Sequence, residues 1–223
     1  LFLVLSGLAT GASWLCYFHA LQKGDVNKVV PIDKSSTILT IFLALIFLHE
    51  GLTWAKFGCV CLIAIGTYMM ISRKKVIEDT KKKDSSWFIY AVLSAVFASL
   101  TAILGKVGIS GIDSNLGTAI RTTVVLLMAW LMVFVQGKQK EVKEIEKKEL
   151  LFIGLSGIAT GASWLCYYRA LQEGPASVVV PIDKLSILAT IAFSWIVFHE
   201  KLTRKSAVGV VLITVGTVLM TMA

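Results

Sequence analysis

Cysteine is scarce in this 223-residue chain, with four in all. Cys16, Cys59, Cys61 and Cys166 each fall inside an apolar stretch. Their placement fits neither a disulfide framework nor a zinc site, and they read as small hydrophobes in packed helices. His49-Glu50 and His199-Glu200 are followed by no second histidine at metalloprotease spacing. No nucleotide-binding motif is present, which argues against direct use of ATP. No convincing nucleophile–base pair or metal cluster stands out, so neither an enzyme nor a cofactor is expected. The first residues, Leu-Phe-Leu-Val-Leu, carry no basic region and no cleavage site, so they do not read as a signal peptide.

What the chain has instead is apolar sequence. Hydrophobic residues make up 56% of it, more than one soluble core of this size can bury. They gather in eight blocks, about 1–22, 28–48, 54–72, 87–109, 115–136, 150–172, 177–198 and 204–222. Blocks of about 20 apolar residues match the hydrocarbon thickness of a bilayer. They are too long for barrel strands and do not alternate. The expected fold is therefore all-α, a polytopic membrane protein with eight transmembrane helices. The net charge of +8 sits mostly in connectors, as in cytoplasmic membrane loops, and does not point to nucleic acid. Arg73-Lys74-Lys75 and Lys81-Lys82-Lys83 mark one polar connector, 73–86; lysines and glutamates fill the other, 137–149.

The chain repeats itself. Residues 1–72 align without gaps on 151–222 at a constant offset of 150, with roughly half the positions identical. Ala9-Thr10-Gly11-Ala12-Ser13-Trp14-Leu15-Cys16-Tyr17 recurs at 159–167, and Val29-Val30-Pro31-Ile32-Asp33-Lys34 recurs at 179–184. Residues 87–223 read as a unit of five helices, 73–86 as a basic cytoplasmic linker, and 1–72 as the last three helices of a second unit. The expectation is that two helices precede Leu1 in a ten-helix protein; a true eight-helix protein is the alternative.

An odd number of helices per unit puts tandem units in opposite orientations. With both polar linkers inside, loops 23–28 and 199–205 also fall inside, and 49–53, 109–114 and 173–176 fall outside. The loop charges follow. Lys23 and Lys28 become Glu173 and Val178, while Gly51, Trp54 and Ala55 become Lys201, Arg204 and Lys205. Sequence kept while loop charge flips is the mark of inverted-topology repeats.

Charges inside apolar blocks mark function by default. The candidates are Asp33-Lys34, Asp183-Lys184, Arg121, Lys106, His19 and Arg169. On one continuous helix Asp33, Ser36 and Thr40 share a face, as do Asp183, Ser186 and Thr190. Thr10, Ser13 and Tyr17 form a stripe repeated as Thr160, Ser163 and Tyr167. These stripes can line a common cavity around a pseudo-two-fold axis, or simply hold helices together. Pro31 and Pro181 allow two readings, a place in a first helical turn or a broken helix that frees backbone groups. Arg121 shares a face with Asn115 and Thr118. Lys106 can snorkel to the interface, and His19 and Arg169 suit helix C-termini. Gly7-x-x-x-Gly11 and Gly157-x-x-x-Gly161 permit close packing. His49-Glu50 suits capping or gating.

Gly-Ala-Ser-Trp-Leu-Cys-Tyr, then Ala-Leu-Gln-x-Gly running into Val-Val-Pro-Ile-Asp-Lys, and a Glu-x-Leu-Thr before the last helix resemble the EamA family of the drug/metabolite transporter superfamily. The resemblance covers essentially the whole chain. It implies a ten-helix secondary transporter with a central cavity, in a bacterial or archaeal plasma membrane. Small metabolites, amino acids or related zwitterionic or anionic compounds, would be exported or exchanged by alternating access. In related phosphate-ester exchangers, basic residues of the fourth and ninth helices bind the anion, which selects Lys34 and Lys184. The expected substrate site comprises Lys34, Lys184, Asp33, Asp183, Arg121, Ser13, Tyr17, Ser163, Tyr167, Thr40 and Thr190. Expected partners are the small-molecule substrate, the lipid bilayer, a coupling proton and a second copy of the chain. Two departures from the family stand out. Two N-terminal helices are missing, and the C-terminus counts as outside where ten-helix members have both termini inside. A non-transporting scaffold or regulatory subunit is the rival reading.

Overall fold

A backbone in hydrocarbon must satisfy its N–H and C=O groups within itself, so the apolar blocks become helices. The computed structural model describes residues 1–24, 29, 32, 33, 35–51, 53–70, 86–198 and 203–222. Along these run α1 (Phe2–Lys23), α2 (Ser36–Phe47), α3 (Trp54–Met70), α4 (Ser86–Ile109) and α5 (Ser114–Val135). After a short 3-10 turn at Glu141–Glu144 come α6 (Lys147–Glu173), α7 (Ala176–Lys184), α8 (Ser186–Phe198) and α9 (Arg204–Met222). No strand occurs among the described residues. α1, α4, α5, α6 and α9 are each long and apolar enough to cross a bilayer. The chain is an all-α polytopic membrane protein.

Helix ends follow local chemistry. The Asp113 carboxylate accepts from the backbone of Asn115 (2.9 Å) and Leu116 (3.1 Å), capping the start of α5. Beyond its other end Gly137 takes φ +68°, a left-handed turn that glycine adopts without strain.

The block 177–198 is not one helix but two. Pro181 lies inside α7, beyond the first turn where a proline costs nothing. It has no N–H to give the carbonyl of Ser177, and α7 ends soon after it, at Lys184. At the break Leu185 N donates to Ile182 O at 2.9 Å. In the other copy Ser35 N donates to Ile32 O at 3.2 Å, and α2 starts at Ser36 as α8 starts at Ser186. The break is thus part of the repeat. It interrupts the helix between Asp183 and Ser186, and between Asp33 and Ser36, so the single face expected for each set is not continuous.

The copies meet reciprocally. A methyl group on Gly66 would stand 2.6 Å from Gly209 O and 2.8 Å from the Ile213 side chain. One on Gly216 would stand 3.1 Å from Cys59 O and 3.0 Å from the Ile63 side chain. Each contact is the other with the offset of 150 applied, as at a two-fold interface. α3 and α9 therefore cross on a local two-fold axis, brought close by glycine.

Three loops close one end of the bundle. The Glu50 carboxylate, following α2, accepts from Ala176 N (2.7 Å) and Ser177 N (3.0 Å) at the start of α7. This satisfies two of the N–H groups that every helix start leaves unpaired. The Lys106 ammonium donates to Leu171 O and to Gly174 O (2.6 Å), at the end of α6. Gln172 donates to Ile109 O at 2.8 Å and to Ile112 O. Lys106 therefore does not snorkel to the interface. The carbonyls left over at a helix C-terminus offer its charge partners inside the protein. Loops 49–53, 109–114 and 173–176, which the helix count puts on one side, do meet.

Candidate functional site

α1 contributes a line of small polar groups near its middle because Ser6, Thr10 and Ser13 stand at helical spacing. Thr10 back-bonds to Ser6 O at 2.9 Å, and Ser6 Oγ donates to Thr101 O of α4 at 2.8 Å. Thr10 and Thr101 hydroxyls lie 3.3 Å apart. Against this line α5 places Arg121, only 2% exposed. Its Nε donates to Ser6 Oγ at 3.0 Å and its Nη2 to Thr10 Oγ1 at 2.5 Å. The guanidinium carbon lies 4.9 Å from the ring centre of Trp164 and 4.6 Å from that of Tyr168, both on α6. Such cation–ring contacts contribute about 0.5–2 kcal/mol each. Nη1 has no partner among the described residues.

Arg121 lines a cavity of about 250 Å³. Thr10, Ser13 and Trp14 of α1 and Ala98, Thr101 and Ala102 of α4 form one side. Ser163, Trp164, Tyr167 and Tyr168 of α6 form another, and Asp183 and Lys184 close it at the end of α7. Lys184 Nζ and Asp183 Oδ2 are 3.3 Å apart, and each side chain is a little over one third exposed. Trp14 and Trp164 hold the same position in the two copies, and their rings lie 6.0 Å apart, centre to centre. A residue touches its own counterpart only beside the axis that relates the copies, so the cavity sits there.

Of the expected site residues, the cavity gathers Ser13, Ser163, Tyr167, Arg121, Asp183 and Lys184. Tyr17 lies elsewhere, against the cluster of Ala20, Val29 and Ala91. Asp33 does not line the cavity but is tied to it. Ser94 Oγ donates to Asp33 Oδ1 at 2.8 Å, and Ser13 Oγ donates to Ser94 O at 3.0 Å. Thr40 is buried and back-bonds to Ser36 O at 2.8 Å. Lys34, Pro31, His199 and Glu200 lie outside the described residues, as does the side chain of Thr190. Arg169 pairs with Glu173 at 2.6 Å, and the His19 ring lies 4.4 Å from that of Tyr90; neither lines the cavity. No cluster of metal-ligating side chains occurs among the described residues.

Trp14, Trp164, Tyr168 and Thr101 were missed by sequence reasoning. The two tryptophans carried a signal: bilayer tryptophans favour helix ends, yet Trp14 sits near the middle of α1 and is duplicated. Tyr168 carried none, since its counterpart is Phe18.

Comparison with known proteins identifies this architecture. The model of the EamA-like transporter family matches residues 1–72 and 85–222. The chain belongs to that family. This EamA-like transporter is similar to an uncharacterized transporter encoded in the cobO 3' region of a Sinorhizobium species. The two are 44% identical over 135 residues, covering 60% of this chain and 96% of that one. It is also similar to a probable 4-amino-4-deoxy-L-arabinose-phosphoundecaprenol flippase subunit of Erwinia tasmaniensis. That likeness is 36% identity over 72 residues, 32% of this chain and 66% of the relative. A crystal structure matches the fold with a TM-score of 0.75 and 13% identity, covering 99% of this chain and 88% of the other. The protein is an integral membrane transporter, with the bilayer and a small-molecule substrate as partners.

Proposed function

We propose that this protein is a secondary transporter that exports or exchanges small zwitterionic or anionic metabolites by alternating access. The meeting of Trp14 with Trp164 carries the reading. It puts a polar, charged cavity on the axis between the copies, where rocking of one inverted unit against the other exposes it to each side in turn. Residues 1–72 and 87–223 are the moving units and 73–86 the cytoplasmic linker. Glu50 on α7 and Lys106 on α6 close the end that carries loops 49–53, 109–114 and 173–176, taken as the outer end. The broken helix at Lys184–Ser186 puts a helix end and charge beside the cavity. Asp33, reaching Ser13 through Ser94, is a carrier for a coupling proton.

A ligand panel read by thermal unfolding tests the proposal on purified protein. Amino acids, sugar phosphates, nucleotide sugars and cationic drugs are compared, with an Asp183→Asn/Lys184→Gln double variant as control. A ligand at about 100 times its dissociation constant stabilises by about 2.7 kcal/mol. The expected result is a shift in the wild type with counterflow of the same compound in proteoliposomes; a shift lost in the double variant puts the ligand on the Asp183–Lys184 pair, and one that is kept puts it elsewhere in the cavity. Folded protein that answers to no panel member and shows no counterflow favours a subunit or scaffold role. The flippase-subunit name of the Erwinia relative supports that second reading.

A further inference from the structure

We infer that the ligand of the central cavity is a small monocarboxylate with an apolar or aromatic body, and that Arg121, not Lys184, holds its carboxylate. The inference rests on the transporter reading of the cavity. Three observations carry it.

The first is the state of Arg121. Burying a guanidinium without a counter-charge is costly, and the charge normally appears with a carboxylate partner. Among the described residues Arg121 has none; the ion pairs there are Arg169 with Glu173 and Lys184 with Asp183. Ser6 and Thr10 take Nε and Nη2, and Trp164 and Tyr168 cover the guanidinium carbon. The buried Nη1 has no partner among the described residues, and one N–H of Nη2 is also uncommitted, on a group already fixed in place. A planar fork held rigid with donors unspent is prepared for a carboxylate.

The second is the charge balance of the lining. Lys184 and Asp183 face one another at 3.3 Å and cancel. Among the described residues no further acidic or basic side chain lines the cavity, so Arg121 leaves that lining one positive charge in excess. A ligand with one negative charge neutralises it. A phosphate monoester carries up to two and leaves one unmatched in a low-dielectric site. An α-amino acid brings an ammonium group, whose natural acceptor, Asp183, is already engaged by Lys184.

The third is the rest of the wall. Trp14, Trp164, Ala98 and Ala102 are apolar surfaces around the charged spot. The volume of about 250 Å³ lies below the ~300–1,000 Å³ typical of sites for drug-sized ligands. Together these favour a compact body that stacks or packs on the indoles.

The experiment is a charge series on one ring, with the wild-type protein in nanodiscs. Benzoate and phenylacetate are compared with benzamide, phenylalanine and phenyl phosphate, by thermal unfolding and by quenching of tryptophan fluorescence. The monocarboxylates are expected to bind at least about tenfold more tightly than the other three. Lys184→Gln is expected to change that affinity less than Arg121→Lys, which keeps the charge but not the fork. Equal or tighter binding of phenylalanine or phenyl phosphate overturns the inference, as does monocarboxylate binding unchanged in Arg121→Lys. The wild-type series decides the matter even if the Arg121 variant does not fold. Failure of all five probes in folded protein also overturns it. Counterflow of another substrate through the cavity would then leave the transporter reading standing alone.

Discussion

Gly7 and Gly157 occupy the same position of the duplicated unit, yet one is packed and the other is bare. A methyl group on Gly7 would stand 2.8 Å from Val124 Cβ and 3.0 Å from Arg121 O, whereas among the described residues nothing lies within 4 Å of one on Gly157. The same holds next door, where Gly11 meets Met128 and Gly161 meets no described residue. α1 presses this face against α4 and α5, and on α6 no described residue covers it. Gly7→Leu should therefore overpack a helix contact and cost about 1–3 kcal/mol. Gly157→Leu should stay within about 0.5 kcal/mol. Thermal unfolding of the two variants in one detergent checks this. Equal losses would mean that the α6 face is covered in the working protein.

Glu50 should matter for the end of the bundle and not for the cavity. Its two oxygens take the first N–H groups of α7, at Ala176 and Ser177. Glu50→Ala should cost about 0.5–2 kcal/mol, the range of a lost helix cap. It should also speed amide hydrogen exchange at Ala176 and Ser177 more than elsewhere in α7. Unchanged exchange at those two amides would show that the carboxylate does not hold α7 in solution.

The helices and the duplication were legible because each leaves a mark in one dimension, in block length and in a fixed offset. Ser13, Ser163, Asp183 and Lys184 were legible as polar exceptions inside apolar blocks. The weight of Arg121 was not, because what isolates it is remote in sequence. Ser6 and Thr10 lie on α1, and Trp164 and Tyr168 lie on α6. The break after Lys184 was one of the two readings that Pro181 allowed, and the apolar run could not decide between them, since hydropathy measures burial in lipid and not helix continuity. Lys106 looked like an interfacial lysine for a similar reason. Its partners are backbone carbonyls, which every sequence has and none displays.

Trp164 should be coupled to Arg121 and Trp14 much less so. Trp164 lies over the guanidinium, while Trp14 touches Trp164 and, among the described residues, stacks on no cation. A double-mutant cycle between Trp164→Leu and Arg121→Met should give a coupling of about 0.5–2 kcal/mol. The cycle with Trp14→Leu should give less than half of that. Equal couplings would place the guanidinium between the two indoles instead of against one.

Ser94 is the hydroxyl on which the link from Asp33 to the cavity depends. Its Oγ donates to Asp33 Oδ1 at 2.8 Å, and its carbonyl accepts from Ser13 at 3.0 Å. Ser94→Ala keeps the backbone carbonyl and so the Ser13 contact, but it strips a carboxylate of a donor inside an apolar bundle. A group left unsatisfied in this way costs about 1–3 kcal/mol or more. Asp33→Asn removes the charge yet leaves a carbonyl oxygen to accept from Ser94, so its loss should be smaller. Unfolding midpoints should therefore fall in the order wild type, Asp33→Asn, Ser94→Ala. Transport driven by a proton gradient should fail in Asp33→Asn even though that variant is the more stable of the two. The opposite order of midpoints would show that the charge of Asp33, and not its hydrogen bond, is what the fold accommodates.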